Sequence, residues 1–233
     1  MPSKFRIIVA LLGSLVACSE STLPTPRAVF DFAFADDVQG WVADFADYPL
    51  GSETFHEQTS GYQQLPAPLN ARSGFYISGN NHSADLFMYL RRHVTGLEPN
   101  TSYQVTFVVE FATDAPAGCF GPGSIGESVV VKAGASAIEP ASVVDQFGDL
   151  RMSIDKGEQS QSGVNAVVIG NVASSTLCEE NIRRYEIKEL RSPPAVAVTT
   201  DGAGSAWLVV GTDSGFEGVT SLYYTRMTAT FSR

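Results

Sequence analysis

Charge is scarce in this chain of 233 residues, and basic charge scarcest. Lys and Arg number 15 against 25 Asp and Glu, for a net charge of −10. A surface of that sign repels phosphate backbones and anionic headgroups, so nucleic acid is not expected as a partner, nor electrostatic docking on a bilayer. Cysteine and histidine occur three times each and tryptophan twice. His56, His82 and His93 stand too far apart in sequence to spell a zinc motif. Low-complexity tracts are missing, and 44% of the residues are hydrophobic, enough for one sizeable core and too many for a disordered chain. No apolar run reaches the ~20 residues that a membrane-spanning helix needs, and an apolar period of 3.6 nowhere persists for three turns.

The first twenty residues hold a short basic start and an apolar stretch. Lys4 and Arg6 precede the run from Ile7 to Ala17, interrupted only by Gly13 and Ser14. Its length suits the core of a signal peptide rather than a membrane span. The run ends in Leu15-Val16-Ala17-Cys18, which resembles the bacterial lipobox. The resemblance implies cleavage after Ala17, a diacylglycerol on the Cys18 thiol and acylation of the new amino group. Three acyl chains exceed the two signals that stable anchorage requires. An ordinary secretory signal with a chance cysteine is the alternative. Cleavage would remove residues 1–17, Lys4 and Arg6 among them, leaving 216 residues with a net charge of −12. Ser19 follows the cysteine, and in Gram-negative lipoproteins a residue other than Asp there implies sorting to the outer membrane. The expected location is therefore the cell envelope, the lipid bilayer being reached through Cys18. Residues 18–29 read as the lipidated cysteine and a tether, and residues 30–233 as one domain.

Export also decides the remaining cysteine chemistry. Cys119 and Cys178 are an even pair in an oxidising compartment, so a disulfide is expected, with two unpaired thiols as the alternative.

From Phe30 onward the apolar period is two. Phe30, Phe32 and Phe34 alternate, as do Leu86, Met88 and Leu90 against Phe87, Tyr89 and Arg91. The longest such run is Tyr103, Val105, Phe107, Val109 and Phe111, opposed by Gln104, Thr106, Val108 and Glu110. Short strands punctuated by Gly, Pro, Asn and Asp continue to Phe231. The fold class expected is all-β, an antiparallel sandwich.

Two stretches carry a resemblance. Val94-Thr95-Gly96-Leu97-Glu98-Pro99-Asn100-Thr101-Ser102-Tyr103 is similar to the corner before a long strand in jelly-roll and fibronectin-like sandwiches, where the tyrosine hydroxyl bonds upstream backbone. Phe30 to Trp41, and Trp207 to Phe231 with its Leu222-Tyr223-Tyr224, resemble the first and last strands of jelly-roll carbohydrate-binding modules. The resemblance implies a jelly roll that binds a glycan without chemistry. It also raises calcium, since several such modules hold a structural ion through an Asp after the final aromatic pair. Thr225 stands there instead. Asp36, Asp37, Asp213 and Glu217, with Asp31, are the acids left to supply oxygen ligands; solvated turn acids are the other reading. No other cofactor is expected.

The candidate ligand surface follows from strand faces. If Leu86, Met88 and Leu90 face the core, then Phe87, Tyr89 and Arg91 point away from it, as Glu110 does on the long strand. Rings that stack on sugar C–H faces beside a guanidinium and a carboxylate suit hydroxyl-rich ligands, and Trp41 in a loop would extend the platform. Cover by the loops at 48–73 or 112–127 is the alternative. A second function, a structural or assembly lipoprotein bound to another envelope protein, fits the same sequence; a hydrolase fits it less well.

Two strings with catalytic or cofactor associations fail on context. Gly121 to Gly126 fits G-x-G-x-x-G, but a strand rather than a helix follows it. Ser153-Ile154-Asp155-Lys156 fits S-x-x-K, yet on a strand Ser and Lys three apart face opposite ways. No strained Gly-x-Ser-x-Gly elbow or facing acid pair is spelled.

Overall fold

The computed structural model describes residues 27–82, 85–120, 124–192 and 195–233. The signal segment, Cys18 and most of the tether lie outside these residues. The elements are β1 (Arg27–Ala33), β2 (Val42–Ala46), β3 (Tyr48–Pro49), β4 (Thr59–Gln64), β5 (Ser73–Asn80), β6 (Leu86–Val94), β7 (Ser102–Thr113) and β8 (Val129–Ser136). They continue as β9 (Ser142–Val144), β10 (Asp149–Met152), β11 (Ala166–Asn171), β12 (Glu186–Arg191), β13 (Val196–Thr199), β14 (Ala206–Ser214) and β15 (Val219–Ser232). The sandwich begins three residues before the expected boundary, because Arg27, Ala28 and Val29 pair with Ser232, Phe231 and Thr230.

Two antiparallel sheets face each other. The seven-stranded sheet runs β12-β7-β15-β5-β4, with β1 alongside β15 and β13 alongside β7; the five-stranded sheet runs β11-β8-β14-β6-β2. The pairing is nested: β5 with β15, β6 with β14, and β8 with β11, while β7 pairs with both β12 and β15. Successive strands thus cross between sheets, which is the jelly roll.

Inward positions of both sheets fill one core. On β7 the inward side chains are Tyr103, Val105, Phe107, Val109 and Phe111, all buried, as the period of two dictates. Leu86, Met88 and Leu90 meet them from β6, and Leu208 and Val210 from β14. Tyr103 also closes its corner, accepting a hydrogen bond on its hydroxyl from the Glu98 N–H at 3.1 Å.

The five-stranded sheet is covered on its outer face too. A small third sheet, β3-β10-β9, and the loop from β10 to β11 lie over it. Ala46, Phe87, Tyr89, Ile154, Ala166 and Val209, with Met152, form a second apolar cluster there. Gly211 on β14 makes room: a Cβ at this position would stand 2.8 Å from the Phe87 ring.

Cys119 and Cys178 are bonded, with 5.1 Å between their Cα atoms, and tie the 113–128 connection to the segment before β12. The bridge spans a separation of 59 residues. On the chain-entropy account a loop of that size stabilises by about 4 kcal/mol. The Cys119→Ala/Cys178→Ala double variant is therefore expected to lose about that much in a denaturant titration; a loss under about 1 kcal/mol would mean the loops hold themselves.

Candidate functional site

The outer face of the seven-stranded sheet is the open one, and two strands decide what stands on it. Along β7 the outward residues are Gln104, Thr106, Val108 and Glu110. On β15 the register shifts between Tyr224 and Arg226, with Thr225 as the extra residue. Leu222 and Tyr224 point inward before the bulge, and Met227, Ala229 and Phe231 after it. Tyr223, Arg226, Thr228 and Thr230 are left outward.

Register then assembles rows across the sheet. Glu189, Glu110 and Arg226 form one, on β12, β7 and β15; Arg191, Val108, Thr228 and Asp31 form the next, reaching β1. On the other side lies the row Ile187, Ala112, Tyr223 and Tyr76. Two hollows follow these rows. One of about 280 Å³ is lined by Val108, Glu110, Glu189, Arg191, Arg226 and Thr228. The other, of about 350 Å³ and bounded by Ala33, Ala35, Arg72 and Ser73, meets the first at Glu110 and Arg226.

Glu110 sits at the junction. Its Oε1 accepts from Thr225 Oγ1 at 2.7 Å and from Arg72 Nη2 at 2.5 Å. Burial pushes its pKa up, but these two donors outweigh burial and hold the carboxyl below its ordinary value. Arg226 makes a two-pronged pair with Asp31, Nε to Oδ1 at 2.8 Å and Nη2 to Oδ2 at 2.5 Å, and Thr228 Oγ1 donates to the same Oδ1 at 2.9 Å. The hydrogen bond from Arg226 is the main reason Asp31 is held low. Beside these pairs stands an aromatic group: Tyr76 and Tyr223 lie 4.7 Å apart by ring centroid, and Tyr185 lies 5.6 Å from Tyr223. Leu65 and Leu69 pack against it. Burial raises the Tyr185 and Tyr223 hydroxyls, so both stay neutral donors. The face thus offers ionised acceptors and fixed guanidinium donors, with Tyr76 and Tyr185 half-buried and Tyr223 buried beside them.

Of the five ligand-binding residues expected from sequence, Glu110 alone stands on this face. Phe87 and Tyr89 point out of the main core, as strand alternation requires, but the β9–β11 segment covers them, and they are 1% and 0% exposed. They are core, not platform. Of the two loops expected to cover them, the 48–73 segment takes part only through β3, which pairs with β10 at the edge of the covering sheet. Arg91 pins the cover: it reaches Asp44 at 2.8 Å, Glu139 at 3.2 Å and the Pro140 carbonyl at 3.2 Å. Trp41 is buried in the main core, edge-on to Phe32 and Phe34.

The four expected calcium ligands do not come together either. Asp36, Asp37 and Glu217 are exposed turn residues, and Asp37 caps its own turn by accepting from the Gln39 N–H. Asp213 is fully buried on β14, its Oδ2 bonded to Lys132 Nζ at 2.8 Å and Lys156 Nζ at 2.7 Å. Lysine supplies the cation there. Among the described residues, no group of three or more His, Cys, Asp or Glu side chains is placed to hold a metal ion.

Ser153 and Lys156 point apart, as expected. Ser153 Oγ bonds the Glu139 carbonyl and the Ala141 N–H, while Lys156 turns inward. Asp155 caps the turn between them and β11, accepting from the Gly157 and Val164 N–H groups. His56 and His82, distant in sequence, lie 5.8 Å apart by ring centroid. Arg72, Arg226 and Thr228 are the functional candidates that sequence reasoning missed. The alternation Met227-Thr228-Ala229-Thr230-Phe231 was the signal for a polar outer face on the last strand.

No protein-family model matches the sequence, and no curated protein does. Among solved structures, the chain is similar to a carbohydrate-binding module of the β-sandwich superfamily, with a TM-score of 0.42 and 11% identity; 83% of this chain and 58% of that one are covered. It is similar to the enzymatically active domain of tailspike protein 4 of bacteriophage CBA120, at 0.35 and 11%, over 82% of this chain and 19% of that one. It is also similar to a xylan-binding module, at 0.38 and 11%, over 89% and 99%. At such identities these likenesses concern the β-sandwich fold and not the ligand.

Proposed function

We propose that this chain is a non-catalytic module of the cell envelope, anchored through lipid on Cys18, that binds a glycan on the open face of its seven-stranded sheet. The observation that carries the reading is the junction at Glu110 and Arg226, where two hollows share one carboxylate and one guanidinium. Both groups are already oriented by neighbours, so a ligand hydroxyl meets acceptors and donors whose ordering cost is already met by the fold. A largely preformed polar site beside aromatic side chains is the arrangement that hydroxyl-rich ligands need. The pairing also speaks against hydrolysis. Glu110, Asp31 and Glu189 each hold a guanidinium, from Arg72, Arg226 and Arg191. Glu110 and Asp31 stay ionised well below neutral pH, and so supply no general acid there.

The test is isothermal titration of the purified protein with soluble xylan, mannan, galactan and β-glucan. At least one is expected to bind saturably, with Glu110→Ala and Arg226→Ala each weakening it tenfold or more, about 1.4 kcal/mol, at unchanged melting temperature. Full affinity in both variants, or no binding across the panel, overturns the reading. The anchor is tested separately: Cys18→Ala is expected to release the protein from the membrane fraction.

A further inference from the structure

The loop between β3 and β4 carries a buried imidazole with one nitrogen left over. His56 is 1% exposed, and its backbone carbonyl accepts from the Asn80 N–H at 2.7 Å, which fastens the loop to the end of β5. That bond sets His56 beside the residues that follow β5, and His82 comes within 5.8 Å of it by ring centroid. Phe55 completes the group, 4.2 Å from His82 and 5.6 Å from His56, while buried Tyr48 packs 5.3 Å from His56.

Ser52 fixes the tautomer. Its hydroxyl donates its single proton to the Pro49 carbonyl at 2.5 Å, so toward His56 it can only accept. His56 Nδ1 lies 3.0 Å from the Ser52 carbonyl and 3.2 Å from that hydroxyl oxygen, and both are acceptors. Nδ1 therefore holds the ring proton, and Nε2 presents a bare lone pair. Nε2 is buried and has no hydrogen-bond partner. A buried acceptor left in that state is costly, and a second proton placed on it would bury an unpaired cation instead. An Nδ1–H bonded to a backbone carbonyl, with Nε2 bare, is how metal-binding histidines are oriented.

We propose that His56 Nε2 and His82 together bind a divalent late transition-metal ion of the zinc class. An ion about 2.0–2.1 Å from a nitrogen of each of two imidazoles sets their ring centroids roughly 5–6 Å apart at near-tetrahedral angles. The two rings stand 5.8 Å apart with their planes at 65°, so they do not stack on one another. Imidazole suits zinc, copper and nickel, whereas calcium and magnesium demand oxygen. Among the described residues no third His, Cys, Asp or Glu joins the pair, so water completes the coordination shell. Glu53 and Glu57, exposed on the same loop, offset part of the charge of a dication. His82 and Phe55 are exposed and Tyr48 is buried, so the ion enters from the side of the first two.

The experiment is titration of the whole protein with zinc chloride and, separately, calcium chloride, followed by calorimetry and by NMR of the histidine rings. Before metal is added, long-range proton–nitrogen spectra are expected to show His56 protonated on Nδ1. Zinc is expected to shift the His56 and His82 rings together and to saturate at one ion per chain. The His93 ring, which packs on Trp207 at 4.8 Å, is expected to stay in place, and calcium to move none of the three. His82→Ala is expected to weaken zinc binding tenfold or more, and His93→Ala to leave it unchanged. His82 is exposed, so its variant decides the matter should His56→Ala fail to fold. A proton on His56 Nε2, a zinc response of His82 without His56, an equal response to calcium, no saturable zinc binding, or full zinc affinity in His82→Ala overturns the proposal.

Discussion

Asp213→Ala is expected to lower the unfolding free energy by about 3–5 kcal/mol, read from a urea titration. The carboxylate is the shared acceptor of two buried ammonium groups, at 2.8 and 2.7 Å. Lys132, itself fully buried, would keep only the Lys156 and Gly157 carbonyls as partners. Burial already drives its pKa down, Asp213 opposing, so the variant tips it toward the neutral amine. Lys156 is held high against burial by Asp213 and Asp47 and would keep only the second. The loss therefore measures uncompensated charge rather than the net worth of the ion pair. The control removes both charges: Lys132→Met/Asp213→Leu leaves Lys156 with Asp47 and is expected to recover most of the stability. A double variant as unstable as the single one would show that the network itself, and not the orphaned lysine, was supporting the fold.

How far the sequence discloses all this depends on which face of which strand is asked about. The face of β7 was legible because Tyr103 to Phe111 alternate without a break, and that run placed Glu110 on the outside. The corner at Tyr103 and the Cys119–Cys178 bond were legible from local spacing and parity. What alternation leaves out is the sheet to which a strand belongs. Phe87 and Glu110 both point away from the core, but on opposite sides of the sandwich, so they never share a surface. The cover over Phe87 was hidden for a different reason. Its strands β9 and β10 have three and four residues, too short to show a period. An indirect sign was present in Val129-Val130-Val131 and Trp207-Leu208-Val209-Val210. Strands apolar at consecutive positions are buried on both faces, whereas β1, β13 and β7 up to Phe111 in the open sheet alternate. The charged network was illegible, since Asp47, Asp85, Lys132, Lys156 and Asp213 come from five separate segments.

Phe87→Ala separates the buried reading of that face from the platform first expected there. The ring is stacked on Tyr89 with centroids 5.4 Å apart, stands 5.0 Å from Lys156 Nζ, and packs with Ile154, Ala166 and Val209. Truncating a fully buried phenylalanine costs about 3–5 kcal/mol, the lost transfer energy plus the cavity left behind. In a domain of this length that lowers the melting temperature by roughly 10 °C. The cost exceeds transfer alone because Lys156 loses its aromatic neighbour, so the effect should not add to that of Asp213→Ala. Affinity for whatever glycan the open sheet binds is expected to stay unchanged in the folded fraction, since the ring lies under the cover. A binding platform would behave in the opposite way, losing affinity while the melting temperature held. Calorimetric melting and ligand titration on the same sample therefore decide between them, and the second outcome would mean that the β9–β11 segment lifts off the sheet to expose Phe87.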